Sequence, residues 1–221
     1  MRRLLAIGAL GLLLGTVSPA QEPDRLSTFF VGRISFATND GTDCGDVGAG
    51  LVRLVARTST IKVQEERHLR LADDGLFETP FLFMNGHFVF VLSEPEKENL
   101  GRYLSWGGFV MASGCCTNPA FPAAWRREFG KIFPGEVVKK IPYDHLIYRS
   151  FYRLEKIHSA NGDRDIEIEG LFYQGDLVAV MAEDGLCCSF NMGNECNRGR
   201  GISPDDAKKL ALNIAVYSLT H

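Results

Sequence analysis

Apolar positions along the chain form two recurring patterns, unbroken short runs and stripes at helical spacing. Four runs have the length and composition typical of strands: residues 28–36, 61–63, 109–112 and 137–141. Helical stripes lie between them, as in Val47, Leu51 and Val55. This alternation predicts an α/β fold, in which a mostly parallel sheet is covered by helices on both faces.

Two further pairs of apolar runs are separated by turn residues. Residues 80–84 and 88–92 flank Asn85-Gly86, a pair that favours the type I′ turn of a β-hairpin. Residues 166–173 and 177–182 flank a second turn. The sequence therefore predicts two hairpins added to the parallel sheet.

Two helix starts carry capping signals. Ser93-Glu94-Pro95-Glu96 has the Ser and Glu of a capping box, with Pro in the first turn. Ser203-Pro204 opens the last helix in a similar way, and acidic residues follow it.

The first 20 residues have the features of a secretory signal peptide. Arg2-Arg3 precedes an uncharged apolar run that ends at Ser18-Pro19-Ala20, a small-residue cleavage site. The run is shorter than the roughly 20 residues that a membrane span needs. We therefore expect cleavage after Ala20, export to the periplasm or outside the cell, and no transmembrane segment in the remaining chain.

The mature chain, 21–221, has the size of a single α/β domain. Removing 20 of the 221 residues leaves 201, and 22 basic against 27 acidic residues give a net charge of −5. Because the charge is mild and the basic residues are scattered, the composition argues against nucleic-acid binding. A protein partner in the cell envelope stays open.

Six cysteines carry the clearest chemical signal in the chain. Cys44, the doublet Cys115-Cys116 and the doublet Cys187-Cys188 each lie a few residues after a predicted strand, and Cys196 follows the second doublet. Since ligands in open α/β sheets bind beyond the carboxyl ends of the strands, these cysteines are expected to gather at that edge.

Two interpretations of this set stay open. An even number of cysteines in an exported protein is typical of disulfides, although adjacent cysteines seldom bond each other because their Cα atoms are too close. Alternatively, soft thiolates bind Zn(II), Cu(I) or an iron–sulfur cluster. The ligands would be Cys115, Cys116, Cys187 and Cys188, with Cys44, Cys196 or His87 in addition.

A third interpretation is a cysteine hydrolase. That chemistry needs a cysteine on a tight strand-to-helix turn and a histidine base beside it. The segment "SGCCTN" lacks the second glycine of a Gly-x-Cys-x-Gly turn, and His145 could be the base only if the fold brings it near.

Four other residues are candidates for ligand binding: Asp144, His145, His87 and Ser113. Asp144 and His145 precede a short aromatic segment, where a capped turn is the simpler interpretation. His87 follows the predicted Asn-Gly turn, and Ser113 precedes the first doublet.

Several segments resemble one bacterial family, the domain of unknown function 4159. They are "FFVGRISF", "GRYLSWGGFVMAS", "IPYDHLIYRSFY" and "NIAVYSLTH", and they span most of the chain after residue 28. The resemblance implies a flavodoxin-like three-layer sandwich, related to the class I glutamine amidotransferases, with no established activity. Many members of that family carry acidic residues after the double-glycine strand, where this chain has Ser113-Gly114-Cys115-Cys116, so the chain resembles a cysteine-rich variant.

The sequence thus favours an exported, non-catalytic binding domain with a cysteine-rich site for a soft metal or for redox chemistry. A disulfide-stapled interaction domain without metal is the first alternative, and a cysteine hydrolase is the second.

Overall fold

A computed structural model of the protein describes residues 28–35, 46–192 and 201–221. Its strands are β1 Thr28–Phe29, β2 Val31–Ser35, β3 Lys62–Val63, β4 Arg67–Arg70, β5 Phe81–Gly86, β6 Phe109–Gly114, β7 Val138–Lys140, β8 Glu169–Tyr173 and β9 Asp176–Ala182. Seven of them form one sheet in the order β4-β2-β5-β6-β9-β8-β7, and β1 pairs with β3 separately. The first five strands of that order are parallel, whereas β8 and β7 add antiparallel pairs.

Helices cover both faces of the sheet. They are α1 Val47–Thr58, α2 Glu94–Ser105, α3 Ala120–Phe129, α4 Leu186–Met192 and α5 Pro204–Thr220, with short 3-10 helices at Asp74–Glu78 and Leu146–Tyr148. Phe83 belongs to the core cluster shared with α1, α4 and α5, while its neighbour Leu82 belongs to the cluster shared with α2 and α3. Successive strand residues face opposite sides of a sheet, so these clusters are two separate layers.

The strand order identifies the fold class. Counted in chain order, the five parallel strands lie in the order 2-1-3-4-5, which is that of flavodoxin-like sheets. The prediction of a three-layer α/β sandwich with a mostly parallel sheet is therefore confirmed. No helix among the described residues combines the length and the apolar character needed to cross a membrane.

The predicted caps and one predicted hairpin are present. Ser93 and Glu96 form a reciprocal capping box at the start of α2, and Ser203 Oγ accepts a hydrogen bond from the Asp206 N–H in α5. Strands β8 and β9 form the second hairpin, whose turn residues Gln174 and Gly175 have left-handed φ values of 53° and 98°.

The predicted hairpin at Asn85-Gly86 is wrong. Strand β5 continues through this pair, because Asn85 lies beside Ser113 and Gly86 beside Gly114 in the parallel ladder with β6. Its residues are all buried, and a Cβ on Gly86 would lie 2.6 Å from the ring of Phe121. The glycine therefore allows close packing of α3 against the strand and does not form a turn.

Two elements were missed in the sequence. Strand β4 lies at one edge of the sheet and buries only Leu69, so its charged residues hide the strand pattern. Helix α4 contains Cys187 and Cys188, where no helix was predicted. At the opposite edge, β7 carries Lys139 and Lys140, so both outer strands of the described sheet are basic.

Candidate thiol site at the carboxyl edge of the sheet

The candidate site lies where the parallel strands β2, β5, β6 and β9 end. Strand β2 has β4 as its neighbour on one side and β5 as its neighbour on the other. The chain therefore leaves β2 toward one side of the sheet and continues from β5 toward the opposite side. In sheets of this strand order, such a reversal marks the usual place of the ligand crevice, beyond the carboxyl ends of β2 and β5. The end of β6 and the start of α4 supply the cysteines of the site, and the end of β5 lies beside them.

The first doublet is held against the end of β5 by three contacts. The Asn85 Nδ2 donates a hydrogen bond to Cys115 Sγ at 3.2 Å, and the Cys115 N–H donates to Gly86 O at 2.9 Å. One residue further along both segments, His87 Nε2 lies 3.3 Å from Cys116 Sγ. The side chains of the doublet differ in environment, because Cys115 is fully buried and Cys116 is exposed.

The backbone at the doublet is in an unusual conformation. Cys116 and Thr117 have φ values of 53° and 56°, in the left-handed region that residues with a Cβ adopt at a cost. Such backbone outliers are concentrated at functional sites. Here the left-handed turn joins the end of β6 to α3 and directs successive cysteines into the core and into solvent.

The second doublet lies at the start of α4, directly after β9. The Cys187 N–H donates a hydrogen bond to Ser113 Oγ at 3.2 Å, which joins α4 to the last residues of β6. Cys187 and Cys188 are both fully buried, and their sulfur atoms are 3.8 Å apart. That separation is a van der Waals contact between thiols and exceeds the roughly 2.05 Å of a disulfide bond.

Ion pairs anchor the turn between β9 and α4, which directly precedes this doublet. Arg164 pairs with Asp184, and Arg126 pairs with Glu183 while its Nε contacts Glu169 at 2.5 Å. Burial lowers the pKa of Arg126, but Glu183 and Glu169 together outweigh it and hold that pKa above its ordinary value. The turn between β9 and α4 is thereby fixed to α3 and to β8.

The two doublets lie at the same edge of the sheet. Cys115, Cys187 and Cys188 belong to one core cluster, and Ser113 links the segments that carry them. Among the described residues no disulfide joins any two of the four cysteines, and no group of three or more His, Cys, Asp or Glu side chains is arranged to hold a metal. Cys44 and Cys196 lie outside the described residues, so the disulfide and the metal interpretation both stay predictions.

A buried polar row beneath the doublet was missed by sequence reasoning. Arg33, on β2, donates from Nη2 to Asn85 Oδ1 at 3.0 Å, and its Nη1 lies 3.9 Å from Glu66 Oε1. Glu66 Oε2 also accepts the Ala49 N–H in the first turn of α1 at 3.0 Å. The Arg33 and Glu66 side chains are only 7% and 10% exposed, so their charges compensate each other in the interior. The sequence holds one signal for this row: Arg33 is the single charged residue within the apolar run "FFVGRISF".

Asp144 and His145 lie away from the cysteines. The His145 Nδ1 accepts the Ile147 N–H at 3.2 Å, so His145, and not Asp144, caps the short helix Leu146–Tyr148. Its ring contacts Phe172 and Tyr217 at centroid distances of 5.8 and 5.5 Å. Phe172 pairs with Leu177 near the start of β9, which is the opposite edge from Cys187. His87, and not His145, is therefore the histidine beside a thiol.

The chemistry of this edge depends on its exposed thiol and the imidazole beside it. An exposed thiol next to an imidazole can bind a soft cation, and it can also lose its proton to the imidazole and act as a nucleophile. The parallel sheet, its crevice and these thiols together define a flavodoxin-like α/β domain with a candidate thiol site.

The chain belongs to the family described as Domain of unknown function (DUF4159), whose family model matches residues 37–219. A comparison with curated proteins returned no match.

Proposed function

We propose that the protein is an exported binding domain whose cysteine-rich site takes up a soft metal ion or undergoes thiol redox chemistry. The observation that carries the proposal is the meeting of both doublets at the carboxyl edge of one parallel sheet, where Ser113 joins their segments. Thiolate and imidazole groups prefer Zn(II), Cu(I) and iron–sulfur clusters over hard cations. The basic and apolar start of the chain, residues 1–20, supports export.

The proposed ligands are Cys115, Cys116, Cys187 and Cys188, with Cys44, Cys196 or His87 completing the set. The contact between His87 Nε2 and Cys116 Sγ supports a mixed sulfur and nitrogen site. Burial of three of the four sulfurs supports a closed site, because excluded water favours retention of a soft ion.

The test is a thiol count and a metal analysis on the same sample. The full chain is expressed with its leader, recovered from outside the cytoplasm and checked by mass for a start at Gln21. We expect about one equivalent of bound metal per chain, or a pair of thiols that oxidises and reduces reversibly. Either property should be lost in the double variant Cys115→Ser/Cys116→Ser.

Ser105→Ala is the matched control, since this exposed hydroxyl ends α2 at the opposite edge and should leave both properties intact. Absence of metal together with permanent oxidation of the cysteines would reject the proposal and favour the disulfide-stapled interaction domain. Permanently reduced thiols without metal would also reject it.

A cysteine-dependent hydrolase is a second candidate, favoured by one observation. Cys116 occupies a strand-to-helix turn with His87 Nε2 at 3.3 Å, an arrangement that suits a nucleophile and its base. The resemblance to the glutamine amidotransferase fold suggests an amide substrate. Release of ammonia from L-glutamine by the wild type, abolished in Cys116→Ser, would establish this candidate in place of the first.

A further inference from the structure

The cysteines of the candidate site differ in their access to solvent. Cys115, Cys187 and Cys188 are each 0% exposed, whereas Cys116 is exposed. Of these four cysteines, Cys116 is therefore the one that a dissolved molecule can approach without movement of the core. This asymmetry separates one chemically accessible thiol from three packed ones.

The accessible thiol is also the one beside a proton acceptor. His87 Nε2 lies 3.3 Å from Cys116 Sγ, within the range of a sulfur hydrogen bond. The two residues are kept in register because Asn85 and Gly86 hold the preceding cysteine, Cys115, by its side chain and by its backbone N–H. Arg33 in turn holds Asn85, so the pairing of His87 with Cys116 rests on a buried and rigid support.

We propose that Cys116 is the attacking thiol of the site, that His87 accepts its proton, and that the substrate is a disulfide. This inference rests on the proposed function and specifies its redox form. The Cys116 proton passes to His87 Nε2, and the thiolate attacks one sulfur of the disulfide. A new bond forms between Cys116 Sγ and that sulfur, while the other sulfur leaves as a thiolate. The reaction is an exchange, so no other oxidant is consumed.

The geometry of the doublet also determines the fate of the mixed disulfide. Cys115 is the neighbouring residue, and adjacent Cα atoms, about 3.8 Å apart, are closer than the roughly 4.4 Å that a disulfide usually needs. Its sulfur is moreover turned into the core and bonded to Asn85. Cys115 therefore does not displace the attached group. The two other cysteines among the described residues, Cys187 and Cys188, are buried, so within the described part of the chain release of the mixed disulfide falls to an external thiol.

The test uses the reduced and desalted full-length mature chain with dithiodipyridine, an uncharged disulfide whose released thiopyridone absorbs light. We expect Cys116 to react in a fast phase under native conditions, and Cys115, Cys187 and Cys188 to react only in denaturant. Mass spectrometry of the native product should place the adduct on Cys116. Oxidised glutathione should give a mixed disulfide at the same residue.

Variants assign the roles. Cys116→Ser should remove one thiol equivalent from the fast phase, and His87→Gln should slow the reaction of Cys116 at least about tenfold, because the proton acceptor is lost. His68→Gln is the matched control, since this exposed histidine of β4 lies outside the site and should leave the rate unchanged. Equal circular dichroism and unfolding midpoints establish that each variant is folded.

An undiminished fast phase in Cys116→Ser, absence of an adduct on Cys116 in the wild type, or an unchanged rate in His87→Gln would overturn the inference. The proposed function would still stand if metal were bound in the same sample and lost in the Cys115→Ser/Cys116→Ser variant. Absence of both metal and exchange would reject the inference and the proposed function together.

Discussion

Thr117 adopts a backbone conformation that its side chain disfavours. Thr117 is β-branched and has a φ of 56°, and the preceding residue, Cys116, has a φ of 53°. A Cβ in this region is crowded by the backbone, and the cost is about 1–2 kcal/mol for each residue. This unfavourable conformation lies in the turn that places the buried thiol of Cys115 beside the exposed thiol of Cys116.

Replacement Thr117→Gly should raise the free energy of unfolding by about 1 kcal/mol, because glycine adopts the left-handed region without the crowding. Chemical denaturation monitored by circular dichroism measures the change. The control is Thr58→Gly at the end of α1, which should lower stability by about 0.5–1 kcal/mol because helical backbone disfavours glycine. A loss in both variants would show that residue 117 is not left-handed.

The exposure of individual cysteines could not be predicted from the sequence. The doublet Cys115-Cys116 and its place after a strand are visible in the residues, but which sulfur enters the core depends on the left-handed turn. Nor could the partner histidine be predicted, because the position of His87 depends on β5 running straight through Asn85-Gly86. Both are consequences of tertiary packing that overrides local preference.

Among the elements, the starts of α2 and α5 were the most predictable. The capping box at Ser93 and the cap at Ser203 are local arrangements of neighbouring residues, so the sequence contains all their parts. The hairpin at Asn85-Gly86 was wrong because burial of β5 between two helical layers outweighs the turn preference of that pair. Strand β4 was missed because only one of its residues is buried.

The turn between α2 and β6 offers a matched pair of glycines. A Cβ on Gly108 would lie 2.3 Å from the Tyr103 ring, whose hydroxyl is bonded to both the N–H and the carbonyl of Phe109. Gly107 has a φ of 88° and open space where its Cβ would be.

Gly108→Ala should therefore lower the free energy of unfolding by about 3 kcal/mol through overpacking, and Gly107→Ala by about 1 kcal/mol through backbone strain alone. Urea denaturation of both variants measures the difference. Equal losses would contradict the close contact between Gly108 and the tyrosine ring.

For the fold as a whole, the alternation of strands and helices was sufficient to predict the sandwich, and the match over residues 37–219 agrees with the family resemblance. The order of strands was not predictable from the apolar pattern, because a run of buried residues does not say which neighbour it pairs with. Arg33 illustrates the limit, since its role depends on β5 lying beside β2.

Stability should also depend on pH through His145. Burial lowers the pKa of this imidazole below its ordinary value of 6.5, and nearby His221 adds to the effect while Asp144 opposes it. The unfolded chain therefore binds the proton first as the pH falls. The stability that neutral His145 contributes to the folded state is fully present above the ordinary pKa. It is lost as the pH falls from there toward the lower pKa of the folded state.

His145→Asn should remove this loss, because asparagine can still cap the Ile147 N–H but does not titrate. The measurement is the free energy of unfolding between about pH 7 and pH 5, above the range where most carboxylates titrate. The same slope in wild type and His145→Asn would assign the pH dependence to other groups.

The two outer strands of the seven-stranded sheet bear on self-association. An exposed strand edge is a template for another copy, and lysines on the edge are a common protection against this pairing. Here β4 carries Arg67 and Arg70 at one border, while β7 carries Lys139 and Lys140 at the other. Copies that approach border to border would bring Arg67 and Arg70 against Lys139, a repulsion that opposes strand pairing at these borders.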